Sequence, residues 1–418
     1  MKKYDEHAKK RGRKLTEFKL YPHQKASVAF HVEHEYSMNG SDLGTGKTAI
    51  ALEFIRQTGL PALIVGPAFL AGVWRMEAAN LGVTDYLYVP YSQVHKLKGD
   101  VLNRYGVWIA EELHYLKSPT ARRTHAYYSL LKKVRPRYWL GLSATVMRNR
   151  VPDLWVPLAI CSHSPNRTNG RHLTDELTKY RGFSRHFCNV EILMMRGARI
   201  EKFTGVKEAR LPELKQLLED KYVRFKIADV VHDLPTMTRK EVELALRPVP
   251  GLEETFKAYC EGSKIDPTSK AASALLKAPH TAEYVETMLE AGESVLVFTD
   301  HVLAAEDIAK RLKGECVTGK MPAEMRTKVV EDFQAGNIKV IVATIGSLSV
   351  GVTLTAARHV VFNDLSWVPS DNKQAEGRIY RIGQKSACFT HYMIASPTDA
   401  YITKVLREKA DTIGRVLG

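Results

Sequence analysis

Cysteine is scarce in this chain, and its spacing pairs none of it. The 418 residues hold five, Cys161, Cys188, Cys260, Cys316 and Cys388, far apart and without a CxxC pair. This excludes a dense disulfide framework, argues against structural zinc and fits reduced thiols in a cytosolic protein. Long apolar runs are missing as well: no stretch approaches the roughly 18 residues that cross a bilayer, so no membrane partner is expected. The leader "MKKYDEHAKKRGRK" is basic with no apolar segment behind it, unlike a secretory signal. Internal repeats and low-complexity tracts are absent beyond that leader. Acidic residues are in deficit, 46 against 61 basic ones, which leaves a net charge of +15. Such an excess favours a polyanionic partner, nucleic acid first, although solvated surface lysine accounts for charge alone about as readily.

What is present is enough for two or three domains, since 44% of the residues are hydrophobic. Short apolar runs alternate with helical patterns in two series. The first runs through "ALIVG" (62–66), "YLYVP" (86–90), "GVWIA" (106–110) and "YWLGLSAT" (138–145). The second runs through "SVLVFT" (294–299), "VIVATI" (340–345), "HVVFND" (359–364) and "THYMIA" (390–395). Buried strands alternating with amphipathic helices predict α/β architecture, two lobes that each have a mostly parallel sheet with helices on both faces. We expect a basic leader over 1–14, lobe one over 15–240 and lobe two over 241–418, with "LALRPVPG" (244–251) as a linker zone. Residues 163–222, polar and rich in arginine and lysine, read as a helical insertion projecting from lobe one.

The strongest local signal is "SDLGTGKTAIALEFI" (41–55). Gly44 and Gly46 let the backbone turn tightly and approach phosphate oxygens. With Leu43 and Thr45 they form a loop in which Lys47 supplies a cation for the β- and γ-phosphates and Thr48 a hydroxyl for Mg²⁺. The helix that follows turns its positive end to the anion. A GxGK[ST] string arises by chance in on the order of a per cent of chains this long, so an ordinary glycine turn is the weaker reading. Ser41 stands where the full phosphate-loop pattern has its first glycine, and a small residue suffices there. About sixty residues on, "VWIAEELHYLKS" (107–118) stops an apolar run at Glu111 and Glu112. An acidic strand end at the carboxyl edge of such a sheet is what phosphate-loop enzymes use to hold Mg²⁺ and orient water.

The order of motifs resembles superfamily 2 helicase-like ATPases of the SWI/SNF type, and most closely their annealing-helicase branch, from about residue 15 to the carboxyl terminus. "LYPHQ" (20–24) is similar to the adenine-reading segment, which would place Gln24 against the base. "LIVGPAFLAGVW" (63–74) matches through Pro67 and Trp74, and "PYSQV" (90–94) resembles a DNA-tracking segment through Tyr91 and Ser92. "AEELHYLKS" stands where the family usually reads ADEAHYLKN. "GLSATVMRN" (141–149) resembles the coupling motif, with Ser143 and Thr145 relaying nucleotide state to the grip on DNA. In the second half "FTDH" (298–301), with Thr299, and "VTGKMPAEMR" (317–326), with Thr318 and Gly319, are similar to the entry motifs of lobe two. Thr344 would join the coupling set. "SLSVGVTLTAARHVVFNDLSWVP" (347–369) looks like the fifth motif and its extension, including Gly351, Asp364 and Trp367. "QAEGRIYRIGQ" (374–384) is the most specific match, with Gln374 before Arg378 and Arg381. Three residues apart on a helix, the two arginines would share one face and act as arginine fingers.

The resemblance implies two RecA-like lobes, ATP and Mg²⁺ as cofactors and a nucleic-acid-stimulated motor acting on duplex or forked DNA. In that scheme Glu112 orients and deprotonates the attacking water, and Glu111 holds Mg²⁺ through water. Glutamate at 111 in place of aspartate adds about an ångström of reach. An RNA helicase is the near alternative, since "SAT" at 143–145 is common in the wider group. An ATP-dependent DNA clamp with little turnover is the alternative from another class, and a metabolic kinase leaves the second half unexplained. A short leader on a bare two-lobe core suggests a bacterial or viral protein acting in the cytoplasm, with a nuclear protein as the alternative.

Overall fold

Runs of apolar residues with no polar alternation form strands only where both faces of the sheet are covered. The computed structural model of the chain describes residues 19–165, 173–174, 176–195, 198–230, 234–246, 254, 267–348, 352–381, 383–395 and 397–418. It divides into two compact units. One holds the chain up to Val146 with Pro152–Phe187 and Glu208–Lys226; the other holds Met147–Val151, Cys188–Lys207 and Ile227–Gly418. In chain order the strands are β1 (Tyr36–Asn39), β2 (Ala62–Gly66), β3 (Tyr86–Pro90), β4 (Val107–Glu111), β5 (Tyr138–Leu142), β6 (Asn189–Met195) and β7 (Ala198–Thr204). They continue with β8 (Tyr222–Val223), β9 (Met237–Glu243), β10 (Val295–Thr299), β11 (Glu315–Val317), β12 (Val340–Thr344), β13 (His359–Phe362) and β14 (Cys388–Ile394).

Lobe one is a six-stranded sheet in the order β3-β2-β4-β5-β1-β8, and every neighbouring pair in it is parallel. Lobe two repeats the plan in the order β11-β12-β10-β13-β14-β9, again parallel throughout. Its strands show why the runs are continuously apolar. Leu296, Phe298, Ile341, Ala343, Val360 and Phe362 face one way, onto Val329 and Phe333 of one helix and Ala375 of another. The alternate residues Val295, Val297, Val340, Val342 and Val361 face the other way, onto Ala278, Ala282, Val285, Ala305 and Ile308. The expected pair of parallel α/β lobes is what the chain forms.

Three expectations change in detail. The division falls after Lys226 rather than at 240/241, because β9 pairs along its whole length with β14 in lobe two. The 163–222 segment is helical at Tyr180–Phe187 and Leu211–Leu218, but between them β6 and β7 make an antiparallel ribbon that groups with the second unit. Its last residue, Tyr222, already belongs to β8, in register with Met38 of β1. The basic leader, much of the "LALRPVPG" linker zone and Gly351 lie outside the described residues.

Candidate active site

Register in lobe one brings the acidic strand end and the phosphate loop to one edge. Asn39 of β1 and Glu111 of β4 both pair with Leu142 of β5, so the residues that follow them leave the sheet side by side. The loop after β1 takes the left-handed conformation twice, at Gly44 (φ 82°) and Gly46 (φ 83°), before the helix Lys47–Thr58 starts. Its amino-terminal amides are the natural seat of a phosphate.

The loop is held from several directions. Asn39 Oδ1 accepts the Ser41 amide at 3.0 Å, and the Thr45 hydroxyl donates to the Asp42 carbonyl at 2.8 Å. Ser41, in the place of the usual glycine, is fully buried, and its hydroxyl accepts the Phe225 amide at 3.1 Å. Arg224 reaches the Asp42 carboxylate at 3.3 Å. Lys47 donates to the Ser41 and Asp42 carbonyls at 2.7 and 3.0 Å, so the loop lysine is folded back on its own turn. Gln24, the residue expected to read the base, donates to the Thr45 carbonyl at 3.1 Å, and its other end accepts the Tyr21 amide at 3.0 Å. His23 Nε2 meets the same Thr45 carbonyl at 3.0 Å.

Glu111 closes β4 and is buried, and one of its carboxylate oxygens finds no hydrogen-bond partner among the described residues. Burial first, then repulsion from Glu112, pushes its carboxyl up to about 8, against the pull of Lys47. A buried carboxylate with an open oxygen beside a phosphate loop fits a divalent cation. Glu111 and Thr48 are the residues that would hold it. Glu112 turns out of the strand in a left-handed conformation, φ 52°. Its carboxylate meets His114 Nδ1 at 3.2 Å and the Ser143 hydroxyl at 3.3 Å. Ser143 also accepts the Thr145 amide at 3.1 Å, so the acidic strand end and the coupling motif form one hydrogen-bonded unit. His114 stands two residues past the acidic pair, and its partnership with Glu112 was the clue within reach of the sequence. The brace from Arg224 and Phe225 had no such signal, because it crosses more than 180 residues of chain.

Other expected residues divide by burial. Trp74 is 1% exposed and sits in the core near Tyr88, so its side chain offers no surface to DNA. Tyr91 is likewise buried, its ring stacked on Tyr115 and its hydroxyl donating to the Glu111 carbonyl at 3.0 Å. Both side chains are packed in the interior of lobe one. Pro67 is buried too, its carbonyl accepting the Tyr88 hydroxyl at 2.7 Å, while Ser92 is exposed.

In lobe two the helix Pro369–Glu376 carries Gln374 and ends before Gly377. Arg378 and Arg381 therefore lie in the turn beyond it, not on one helical face as expected. They converge all the same, because both donate to the Val352 carbonyl, at 3.1 and 2.8 Å. Arg378 also donates to the Gln374 carbonyl at 2.9 Å, and Arg381 to the Thr353 hydroxyl at 2.8 Å. Glu376 is clamped by Arg239 at 2.8 Å and by the Tyr392 hydroxyl. The Thr299 hydroxyl donates to buried Asp364, and Thr318 is buried. Thr344 ends β12, and the Trp367 ring lies 6.0 Å beneath the Lys270 ammonium. Asp300, His301 and Asp364 cluster as metal ligands do. The Lys270 ammonium, 2.6 Å from Asp300 and 3.8 Å from Asp364, already supplies the positive charge there.

Residues 280–383, within lobe two, match the family model of the helicase conserved C-terminal domain. Over 96% of its length the chain is 27% identical to the mouse DNA annealing helicase and endonuclease ZRANB3, covering 41% of that protein. Over 95% it is 27% identical to the Caenorhabditis elegans homologue of SWI/SNF-related matrix-associated actin-dependent regulator of chromatin subfamily A-like protein 1, covering 62% of it. The chain thus spans less than two thirds of either relative. The Sulfolobus solfataricus SWI2/SNF2 ATPase core, solved with duplex DNA, aligns over 97% of both chains at 19% identity and a TM-score of 0.43. By sequence the chain is thus similar to DNA annealing helicases and SWI/SNF-related proteins along nearly its whole length, and its residues 280–383 match the helicase conserved C-terminal domain.

Proposed function

We propose that the chain is a DNA-stimulated ATPase, a duplex-DNA translocase or a fork-remodelling, annealing helicase. The observation that supports this most is the pairing of a phosphate loop with a buried, partly unsatisfied carboxylate at the next strand edge but one. Lys47 would leave the loop carbonyls for the β- and γ-phosphates. Glu112, held by His114 and Ser143, would orient the attacking water and take its proton. Mg²⁺, when bound, supplies positive charge to the phosphates, and Glu111 and Thr48 are its holders. The Glu112–Ser143–Thr145 chain offers a route by which a change at the water site reaches the coupling motif. For Arg378 and Arg381 we propose contact with the γ-phosphate. An RNA substrate is the weaker reading, since the relatives above are named for DNA annealing or chromatin.

The test is steady-state ATP hydrolysis with and without saturating duplex DNA. Wild type is expected to be strongly stimulated, and Lys47→Ala and Arg381→Ala to lose about 10²-fold or more of that rate. Equal hydrolysis with and without DNA, or wild-type turnover in both variants, would refute the motor. ATP-dependent DNA binding without phosphate release would favour the clamp.

A further inference from the structure

The ribbon of β6 and β7 has more apolar surface than a solvated hairpin needs. Among the described residues, five of the thirteen exposed large hydrophobic side chains lie on it: Val190, Ile192, Leu193, Met194 and Ile200. Met194 is 70% exposed and Ile192 50%. The register divides them between the two faces. Val190, Ile192 and Met194 stand opposite Phe203, Glu201 and Arg199 on one face, and Leu193 stands opposite Ile200 on the other. Seven residues of ribbon extend about 23 Å, and neither face alone has the area that a stable protein interface requires. A two-faced apolar blade suits insertion between two things rather than docking onto one.

Its charge indicates what those things are. From Asn189 to Lys207 the sequence has four basic residues (Arg196, Arg199, Lys202, Lys207) and two acidic ones (Glu191, Glu201), 4 − 2 = +2. Burial first, then the charges of Arg150 and Lys202, lower the affinity of Lys409 for a proton, so these cations gather at the base of the ribbon, where Lys202 also pairs with Glu191 at 2.8 Å. Apolar side chains that meet base faces, with cations beside them for phosphates, are the chemistry of proteins that hold unpaired or unstacked nucleic acid.

We propose that the β6–β7 ribbon inserts between separated strands at a DNA branch point, stacking Ile192, Leu193 and Met194 on unpaired bases. This rests on the DNA-dependent reading above and adds a structure-selective contact to it. Intact duplex buries its base faces and offers the blade nothing to stack on, so the contact should matter at forks and not on linear duplex.

The experiment compares full-length wild type with Ile192→Ser/Met194→Ser and with the conservative Ile192→Val/Met194→Leu. Each is measured for anisotropy binding to a fork with unpaired arms, for binding to a linear duplex of equal length, and for duplex-stimulated ATP hydrolysis. Wild type should bind the fork about tenfold more tightly than the duplex. The serine variant should lose that preference while keeping duplex binding and ATP hydrolysis within twofold, and the conservative variant should restore it. Retained fork preference in the serine variant, no preference in wild type, or equal losses on fork and duplex would overturn the proposal. Absence of DNA stimulation in wild type would instead sink the motor reading, a separate outcome.

Discussion

Gly46 shows how a single position can be closed on two counts. Its φ of 83° is costly for any residue with a side chain, and a Cβ there would lie 2.2 Å from Gln24 Nε2. Gly46→Ala should therefore abolish nucleotide binding in a fluorescent-nucleotide titration. Adding Gln24→Ala removes the clash but not the backbone strain, so the double variant should recover only part of it. Full recovery would show that the clash alone mattered. At Glu111 one buried carboxylate oxygen is without a hydrogen-bond partner among the described residues, and an outer-sphere ligand tolerates one methylene more or less. Glu111→Asp is expected to hydrolyse ATP at or above the wild-type rate when Mg²⁺ is titrated. Complete loss would mean that the local geometry is built around glutamate. The letters of these motifs were legible in the sequence, whereas the direction of their side chains was not. Nothing in "PYSQV" or "LAGVW" tells whether Tyr91 and Trp74 face solvent or core, and packing turns both inward.

Between elements, His31 links the helix Pro22–Glu33 to β1. Its Nδ1 lies 2.8 Å from the Ser37 hydroxyl and its Nε2 3.2 Å from Asn39 Nδ2, the same Asn39 that holds the Ser41 amide. The Asn39 amide donates, so Nε2 must accept, and the ring must be neutral. Burial, with His34 adding, lowers its pKa to about 3. A pKa depressed in the folded state means that the unfolded chain binds the extra proton first. The stabilisation is whole above the ordinary value of 6.5 and falls away as pH drops from 6.5 towards 3. At pH 5 the loss is about 2 kcal/mol. Amide exchange over residues 36–41 should accelerate accordingly, and His31→Gln should flatten that pH dependence while lowering stability at pH 7. Elements with continuous apolar runs announce themselves, but β1 ("YSMN") and β9 ("MTRKEVE") do not. One is four residues long, and the other is a largely exposed edge strand whose polar letters lack the apolar run of its neighbours. Gly377 was a readable stop for the helix before the two arginines, since glycine commonly ends helices.

For the molecule as a whole, two α/β lobes followed from the double series of runs alone, while their boundary did not, because pairing of β9 with β14 joins segments about 150 residues apart. A chain that stops at Ala387 would leave β13 and β9 each without β14 between them. We expect limited proteolysis to cut such a chain readily within lobe two while lobe one survives, and equal resistance of both lobes would contradict the dependence. The same ladder sets an order in time. During synthesis lobe one can close once Tyr222 and Val223 have joined β1. Lobe two must wait, with β9 made early and exposed along one edge, until Cys388–Ile394 leaves the ribosome. For most of the time it takes to make the second half, a cell holds this protein as one finished lobe trailing an open sheet, the state in which a chaperone has most to do.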